Sequence, residues 1–295
     1  MHTETTYPVC PEILNQAELE RYDREGFLVY EAALTSDEVA VANRELSGIV
    51  ADYVNHREEW TRAADHTPDQ ESTNVKKNDS RLMFQIEAGV DISDKSAKEI
   101  ELCLRKYMWF HAAAPIFRKI YTNHQRIQGV VRGILGDDVS LYQSMALTKP
   151  PRIGIDKPWH QDNAYFSVQN PSAILGSWIA LDDSTVENGC MHFVPGGHHA
   201  GPLKHHHTHD CEIVADRFDP AKAVSVEIPA GSIIFFSGNI PHYTPPNRSD
   251  KRRRALQYHY RASSNQIIPA REYDEIFTEK DGSPASCSSA RRGGF

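Results

Sequence analysis

The sequence has few cysteines, and their arrangement does not suggest a cross-linked scaffold. Its five cysteines form an odd set without a C-x-x-C pair. Extracellular disulfide frameworks and structural zinc fingers use paired or clustered cysteines, so neither class is indicated. A scattered, odd set is more typical of a reducing compartment, and we therefore expect a cytoplasmic location.

Long apolar runs and an excess of basic charge are also missing. No segment approaches the ~18 apolar residues needed to cross a bilayer, and the first residues lack the basic start and apolar core of a secretion signal. The formal net charge is -8, from 40 acidic and 32 basic residues in a chain of 295. Dedicated nucleic-acid binders are usually basic. We expect neither a membrane nor a nucleic acid as a partner, and a monomer or homodimer as the assembly.

Helical patterns dominate the first 135 residues. The segment NQAELERYDREGFLVYEAAL predicts a short helix, a stop at Gly26 and a strand at 27–30. Thr35 and Glu38 have the spacing of a capping box, and the apolar stripe that follows them predicts a longer helix. The other predictions for this half are a mobile loop at 56–80, a strand at 81–87, and helices at 97–110 and 113–135.

From residue 139 onward, short β-branched and aromatic runs alternate with Gly, Pro and Asn. Six or more short strands without long helices between them predict an antiparallel sandwich or barrel. We therefore expect an α+β, mainly β, protein with the helices first and the barrel second. The predicted organisation is a flexible lead at 1–15, a single domain at 16–270 and a flexible tail at 271–295.

The decapeptide KPWHQDNAYF, residues 157–166, places a His two positions before an Asp. On a strand or at its end, His160 and Asp162 would project from the same face, and His242 would supply a third ligand. Two imidazoles and one carboxylate on one face of Fe(II) leave three positions open for a co-substrate and O2. By itself a His-x-Asp pair is a weak signal, because two surface residues in a turn produce the same pattern.

Arg253 lies eleven residues after His242, near the start of another predicted strand. Its forked guanidinium would reach the far carboxylate of a dicarboxylate that chelates the metal. Arg252 and Arg254 are competitors for this role. Alternation places one set of side chains on the face of Arg253, namely Ala255, Gln257 and His259. The same alternation directs the intervening side chains toward the early helices, namely those of Arg254, Leu256, Tyr258 and Tyr260.

Taken together, several segments make the chain similar to the phytanoyl-CoA dioxygenase family of Fe(II)/2-oxoglutarate oxygenases. The segments are REGFLVYEAALTSDEV, YQSMALTK, PWHQDNAYF, GSWIALDDSTVENGCMHFVPGGHHAG and HYTPPNRSDKRRRALQYHY, within residues 17–262. The resemblance implies a double-stranded β-helix, a jelly roll of the cupin-like type, with flanking N-terminal helices. It implies hydroxylation, or another oxidation, of a small-molecule substrate with release of succinate and CO2.

The resemblance also implies specific contacts for the cofactors. Fe(II) would be bound by His160, Asp162 and His242, and the 2-oxoglutarate C5 carboxylate would pair with Arg253. Further contacts to 2-oxoglutarate would come from Met145, Trp178, Thr244 and Arg105. O2 is the second co-substrate.

The substrate itself is indicated only by residues near the predicted metal site. The candidates are Asn163, Tyr165, Phe166, Arg81, Phe84 and Gln85. Mixed polar and apolar character favours a polar small molecule. The histidine-rich run from His198 to His209 is either a polar loop near the pocket mouth or a second metal site.

Two other functions fit the same metal ligands. One is a metal-binding cupin that acts as an isomerase or a binding module without oxygenase activity. The other is a hydrolase that uses zinc-bound water. Neither of them needs Arg253 as a carboxylate anchor, so this residue discriminates between the hypotheses.

Overall fold

The computed structural model describes residues 6–64, 73–207, 210–214 and 217–277 of the chain. Within these ranges the α-helices are α1 (Gln16–Glu25), α2 (Ser36–Asn55), α3 (Ala97–Glu101), α4 (Pro115–Thr122), α5 (Gln125–Leu135) and α6 (Ala270–Phe277). The strands of the N-terminal half are β1 (Phe27–Tyr30), β2 (Trp60–Ala64), β3 (Thr73–Lys77), β4 (Met83–Ile86) and β5 (Leu104–Met108). The remaining strands are β6 (Val139–Lys149), β7 (Lys157–His160), β8 (Ile174–Ala180), β9 (Met191–Phe193), β10 (His205–His207), β11 (Cys211–Ile213), β12 (Val224–Val226), β13 (Ile233–Ser237), β14 (His242–Thr244) and β15 (Arg253–Ala262).

Two antiparallel sheets form the centre of the molecule. The larger has nine strands in the order β1-β13-β8-β15-β6-β5-β4-β3-β2, and the smaller has four in the order β12-β9-β14-β7. Trp178 and Phe236 of the large sheet belong to the same buried apolar cluster as Phe193 and Val226 of the small sheet. The two sheets therefore pack against each other as in a jelly roll, and the predicted double-stranded β-helix is confirmed.

The helices cover the outer face of the large sheet. Leu256 and Tyr258 of β15 join a second, larger apolar cluster with Leu46 of α2 and Phe117 of α4. Ala255, which directly precedes Leu256, belongs instead to the cluster between the sheets. The alternation predicted for β15 is thus confirmed, since neighbouring residues of a strand project to opposite faces.

Local sequence signals correctly predicted the first elements. In α2 the Thr35 side chain accepts from the Glu38 backbone N–H, and the Glu38 carboxylate accepts from the Thr35 N–H. Helix α1 is terminated by Gly26, whose φ of 83° gives the left-handed backbone conformation that commonly ends a helix. Strand β1 has the predicted bounds.

The predicted helices at 97–110 and 113–135 were only partly right. Helix α3 stops at Glu101, and Leu104–Met108 form β5, which pairs with β4 and β6. The second prediction is divided into α4 and α5 at Asn123, whose backbone is not helical. In the first case strand pairing across the sheet outweighs a weak local helical preference.

The predicted loop at 56–80 was wrong for most of its described residues. Strands β2 and β3 pair with each other there, and β3 continues the sheet to β4. Residues 65–72 lie outside the described ranges. The strands have polar sequences because they form the edge of the sheet, where Trp60 and Val75 alone are buried in the core among the residues whose burial is described.

The predicted boundaries of the flexible ends need correction. Cys10 and Leu14 are buried, and Val9 forms a β-bridge with Glu31, so residues 6–15 pack on the domain. At the other end, α6 buries Tyr273 and Phe277. Apolar residues in both segments explain why they are packed. Residues 1–5 and 278–295 lie outside the described ranges.

Two observations bear on the expected surroundings of the protein. Cys10, Cys103 and Cys190 are free and buried, but Cys211 is disulfide-bonded, which the scattered cysteine pattern did not predict. Among the residues described, no helix combines the length and the apolar character needed to span a membrane.

Candidate active site

Strand pairing in the small sheet brings two predicted ligands together. Strands β7 and β14 are antiparallel neighbours, and their register places His160 directly opposite His242. The two imidazole rings have centroids 4.1 Å apart, and both side chains are buried. Residues 82 positions apart in the sequence thus meet because the jelly roll pairs these two strands.

Asp162 completes the cluster from a 3₁₀ turn at the end of β7. Its Oδ1 lies 3.3 Å from Nε2 of His160 and 3.6 Å from Nε2 of His242. One donor atom from each of the three residues falls within 4.8 Å of the others, and no other such cluster occurs among the described residues. Gln161, between two of them, turns away and bonds the carbonyl of Gly201 at 2.8 Å.

Backbone carbonyls orient both imidazoles in the same way. Nδ1 of His160 lies 2.8 Å from the carbonyl oxygen of Pro158, and Nδ1 of His242 lies 3.0 Å from that of Ile240. An Nδ1–H donated to a carbonyl leaves Nε2 unprotonated and directed at the cluster. Burial lowers the pKa of His160 to about 4, so its ring is neutral near pH 7.

Two residues of β15 support the Asp162 carboxylate, and no sequence motif indicated a role for either of them. Gln257 Nε2 and His259 Nε2 lie 3.0 Å and 2.7 Å from Oδ2 of Asp162. Burial favours the protonated acid, but the neighbouring imidazoles of His242 and His259 hold the pKa of Asp162 well below its usual range. The other oxygen, Oδ1, faces the two histidines and is free to act as an anionic metal ligand. The donor set suits Fe(II).

Arg253 is the arginine that faces this centre. Its side chain is 2% exposed, and its guanidinium carbon lies 5.0 Å from the Trp178 ring. Nε and Nη1 are buried without a hydrogen-bond partner among the described residues. Burial lowers the pKa of Arg253 to about 10, so the group stays charged near pH 7. A buried cation with vacant donors is a ready site for a carboxylate.

The two competing arginines are already paired. Arg252 lies 2.5 Å from Glu101, and Arg254 bonds both oxygens of Asp182, at 2.8 and 2.6 Å. Their carboxylate partners use the donors that a dicarboxylate would need. This pairing distinguishes Arg253 from its neighbours, as strand alternation predicted.

A cavity of about 350 Å³ connects these groups. Its wall includes all three residues of the His–Asp–His cluster, Arg253, and the predicted co-substrate residues Met145, Trp178, Thr244 and Arg105. Lys149 also lines the cavity, although no sequence motif indicated that it belongs to the site. Lys149 Nζ donates to Oγ1 of Thr244 at 3.0 Å and ties β6 to the end of β14.

A charged cluster lies on one side of the cavity. Asp210, which precedes β11, is 3.2 Å from Arg105 and 2.6 Å from Lys157, and it accepts from the Tyr165 hydroxyl at 3.0 Å. Burial opposes ionisation of Asp210, but Lys157 and Arg105 keep its pKa well below the usual range. Arg105 was predicted to contact 2-oxoglutarate and Tyr165 to contact the substrate. Both side chains line the cavity, but each also bonds Asp210.

The predicted substrate residues divide into two groups. Tyr165, Phe166 and Gln85 line the cavity, whereas Arg81, Phe84 and Asn163 do not. Phe84 packs in the core beneath the sheet, because it alternates with Met83 and Gln85 along β4.

Asn163 and Arg81 are placed elsewhere for different reasons. Asn163 is fully buried, and its Nδ2 donates to Oδ1 of Asn239 at 2.6 Å, which fixes the turn after Asp162. Arg81 stacks 3.5 Å over the Trp109 ring and lines a separate pocket of about 310 Å³. Both residues lie close to cavity residues in the sequence, which is why the sequence pattern was misleading.

The histidine-rich run does not form a metal cluster among its described side chains. His205 is buried, and its Nε2 accepts from the backbone N–H of Gln161 at 3.0 Å. The rings of His198 and His199 lie 4.1 Å apart in a 3₁₀ turn and are tilted by 33°. His205 thus supports the turn between two cluster residues. His209 lies outside the described residues.

Comparison with known proteins gives a consistent result. The phytanoyl-CoA dioxygenase (PhyH) family model matches residues 22–255. The "Phytanoyl-CoA dioxygenase domain-containing protein 1" of Bos taurus is 29% identical over 281 residues, which cover 86% of this chain and 92% of the relative.

Solved structures share the fold. EvdO2 from Micromonospora carbonacea var. aurantiaca, complexed with 2-oxoglutarate, aligns with a TM-score of 0.60 and 24% identity over 89% of this chain and 96% of its own. EctD from S. alaskensis with bound Fe aligns with a TM-score of 0.62 and 21% identity over 90% of this chain and 82% of its own.

Proposed function

We propose, since this chain belongs to the phytanoyl-CoA dioxygenase family, that it is an Fe(II)- and 2-oxoglutarate-dependent oxygenase that hydroxylates or otherwise oxidises a small molecule. His160, Asp162 and His242 would bind the metal. Their donor atoms lie within 4.8 Å of one another in a buried position, and they supply the two imidazoles and one carboxylate that non-haem Fe(II) sites use.

Arg253 would bind the distal carboxylate of 2-oxoglutarate. The proposal depends chiefly on one observation. The buried Arg253 guanidinium has two donors, Nε and Nη1, without a partner among the described residues, and such a group needs an anion. A metal-binding cupin of another function would have no use for it. Two solved structures of the same fold add support, since EvdO2 was complexed with 2-oxoglutarate and EctD contained bound Fe.

Fe(II), 2-oxoglutarate and O2 together supply an oxidant strong enough to attack a C–H bond, with succinate and CO2 as by-products. The protein's own contribution is to position the reactants and exclude water. Trp178, Met145, Leu147 and Met191 provide apolar wall around the cluster. Gln257 and His259 hold the carboxylate in one orientation.

The direct test is to load the purified protein with Fe(II) without air, add 2-oxoglutarate and O2, and measure succinate in the presence of a metabolite library. We expect wild-type protein to form succinate only when Fe(II) and 2-oxoglutarate are both supplied. Asp162→Ala should abolish this turnover, and Asp94→Ala, at an exposed carboxylate, should not change it. Iron binding without any consumption of 2-oxoglutarate would favour the isomerase or binding-module alternative.

A further inference from the structure

Glu87 is a buried carboxylate that faces the cavity. It directly follows β4, where Phe84 and Ile86 enter the core while Met83 and Gln85 line the cavity. Alternation therefore turns Glu87 to the cavity side, and it forms part of the wall. The glutamate is only 6% exposed.

No described residue forms a hydrogen bond or an ion pair with the Glu87 side chain; only its backbone N–H is bonded, to the carbonyl of Cys103 at 2.9 Å. Two nearby cations are engaged elsewhere. Arg105 bonds Asp210 at 3.2 Å, and Lys149 donates to Thr244 at 3.0 Å.

Burial raises the pKa of Glu87, while the positive charges of Arg105, Lys149 and Lys106 oppose that rise. An ionised carboxylate is an acceptor only, and when it is desolvated it is stabilised best by a donor of opposite charge.

We propose that Glu87 binds a cationic nitrogen of the substrate and that the substrate is therefore a small amine. The inference rests on the proposed oxygenase function and identifies the substrate class of the same cavity. The walls beside the carboxylate suit such a molecule, because Met83, Met108 and Leu147 would contact its carbon skeleton.

The position of Glu87 separates the amine from 2-oxoglutarate. In the large sheet β4 is three strands away from β15, which carries Arg253. Neighbouring strands are about 4.8 Å apart, so the two backbones are separated by roughly 14 Å. Arg253 and Glu87 thus mark opposite sides of the cavity, one cationic and one anionic, and the two ligands do not compete for one charged group.

The test uses matched pairs of compounds. The probes are amino acids, amino sugars and polyamines, each compared with its N-acetyl derivative, which keeps the skeleton and removes the charge. Binding is measured as a shift of the melting temperature of the Fe(II)- and 2-oxoglutarate-loaded protein without O2. Turnover is measured as amine-stimulated succinate release. The variants are Glu87→Gln, Glu87→Asp and, as a control, Glu58→Gln at an exposed carboxylate.

We expect at least one amine to bind and its N-acetyl form to bind at least about tenfold more weakly, which corresponds to loss of one charged contact. Glu87→Gln should raise the KM for that amine at least about tenfold with little change in kcat, whereas Glu87→Asp should retain part of the affinity. Glu58→Gln should match wild type.

Three results would overturn the inference. They are that no amine binds, that N-acetyl derivatives bind as well as the amines, or that Glu87→Gln leaves the KM unchanged. Succinate release without any added amine is recorded in parallel. If wild-type protein and Glu87→Gln both show this Fe(II)-dependent turnover while the amine test fails, the oxygenase function stands and only the substrate class is wrong.

Discussion

Nε2 of His259 lies 2.7 Å from Oδ2 of Asp162, although the two residues are 97 positions apart. The same oxygen accepts from Gln257 at 3.0 Å. This arrangement holds one carboxylate oxygen against β15 and leaves Oδ1 facing His160 and His242. His259 and Gln257 are positioning residues, since they act on the metal only through Asp162.

We predict that His259→Leu weakens Fe(II) binding by about 10–100-fold, because outer-sphere partners of metal ligands have effects of this size. His259→Gln keeps a donor near Asp162 and should lose less. The measurement is an Fe(II) titration without air against a competing chelator. Equal affinities for His259→Leu and wild type would show that this hydrogen bond does not orient the ligand.

Arg253→Lys should raise the KM for 2-oxoglutarate at least about tenfold, since an ammonium cannot reproduce the forked contact of a guanidinium with a carboxylate. Arg252→Lys is the matched control. Its ion pair with Glu101 lies outside the cavity wall, so the KM should stay within about twofold of wild type. Steady-state succinate formation measures both. A similar KM for the two variants would contradict the anchoring role.

Glu38 should make folding stability depend on pH. Although burial opposes ionisation, hydrogen bonds from Lys119 Nζ and the Thr35 N–H lower the pKa of Glu38 to about 2, from 4.5. Because the folded-state pKa is depressed, the stabilisation is complete above about pH 4.5 and is lost as pH falls toward about 2.

Glu38→Gln should therefore reduce the free energy of unfolding by about 1–2 kcal/mol near pH 7, after allowance for solvent screening, and by less near pH 3. Urea unfolding at several pH values gives the difference. Glu58→Gln provides the comparison for an exposed carboxylate. A difference between wild type and Glu38→Gln that does not change with pH would contradict the predicted coupling.

Two helical glycines should respond in opposite ways to alanine. A Cβ at Gly129 of α5 would overlap the carbonyl oxygen of Glu12, whereas a Cβ at Gly48 of α2 meets nothing within 4 Å. Gly48→Ala should stabilise the protein by about 0.5–1 kcal/mol. Gly129→Ala should destabilise it by about 1–3 kcal/mol. Thermal unfolding measures both, and stabilisation by Gly129→Ala would mean that residues 6–15 do not pack against α5.

Patterns with a fixed period or spacing were read correctly from the sequence alone. Strand alternation placed Arg253 on the inner face and Tyr258 on the outer face of β15, and capping signals predicted the start of α2. These features depend on backbone geometry that each segment carries by itself. The ligand types made His242 a candidate partner of His160, the family resemblance implied the same, and the strand register shows that the two residues meet.

Tertiary structure alone decided the features that depend on distant partners. The segment 104–108 becomes a strand because β4 and β6 pair with it on both sides. Phe84 is a core residue and Gln85 a cavity residue only because the helices lie on one side of β4. Glu87 resembles any surface glutamate in the sequence; its burial without a bonded side-chain partner among the described residues arises from packing, because desolvation is a property of the folded neighbourhood.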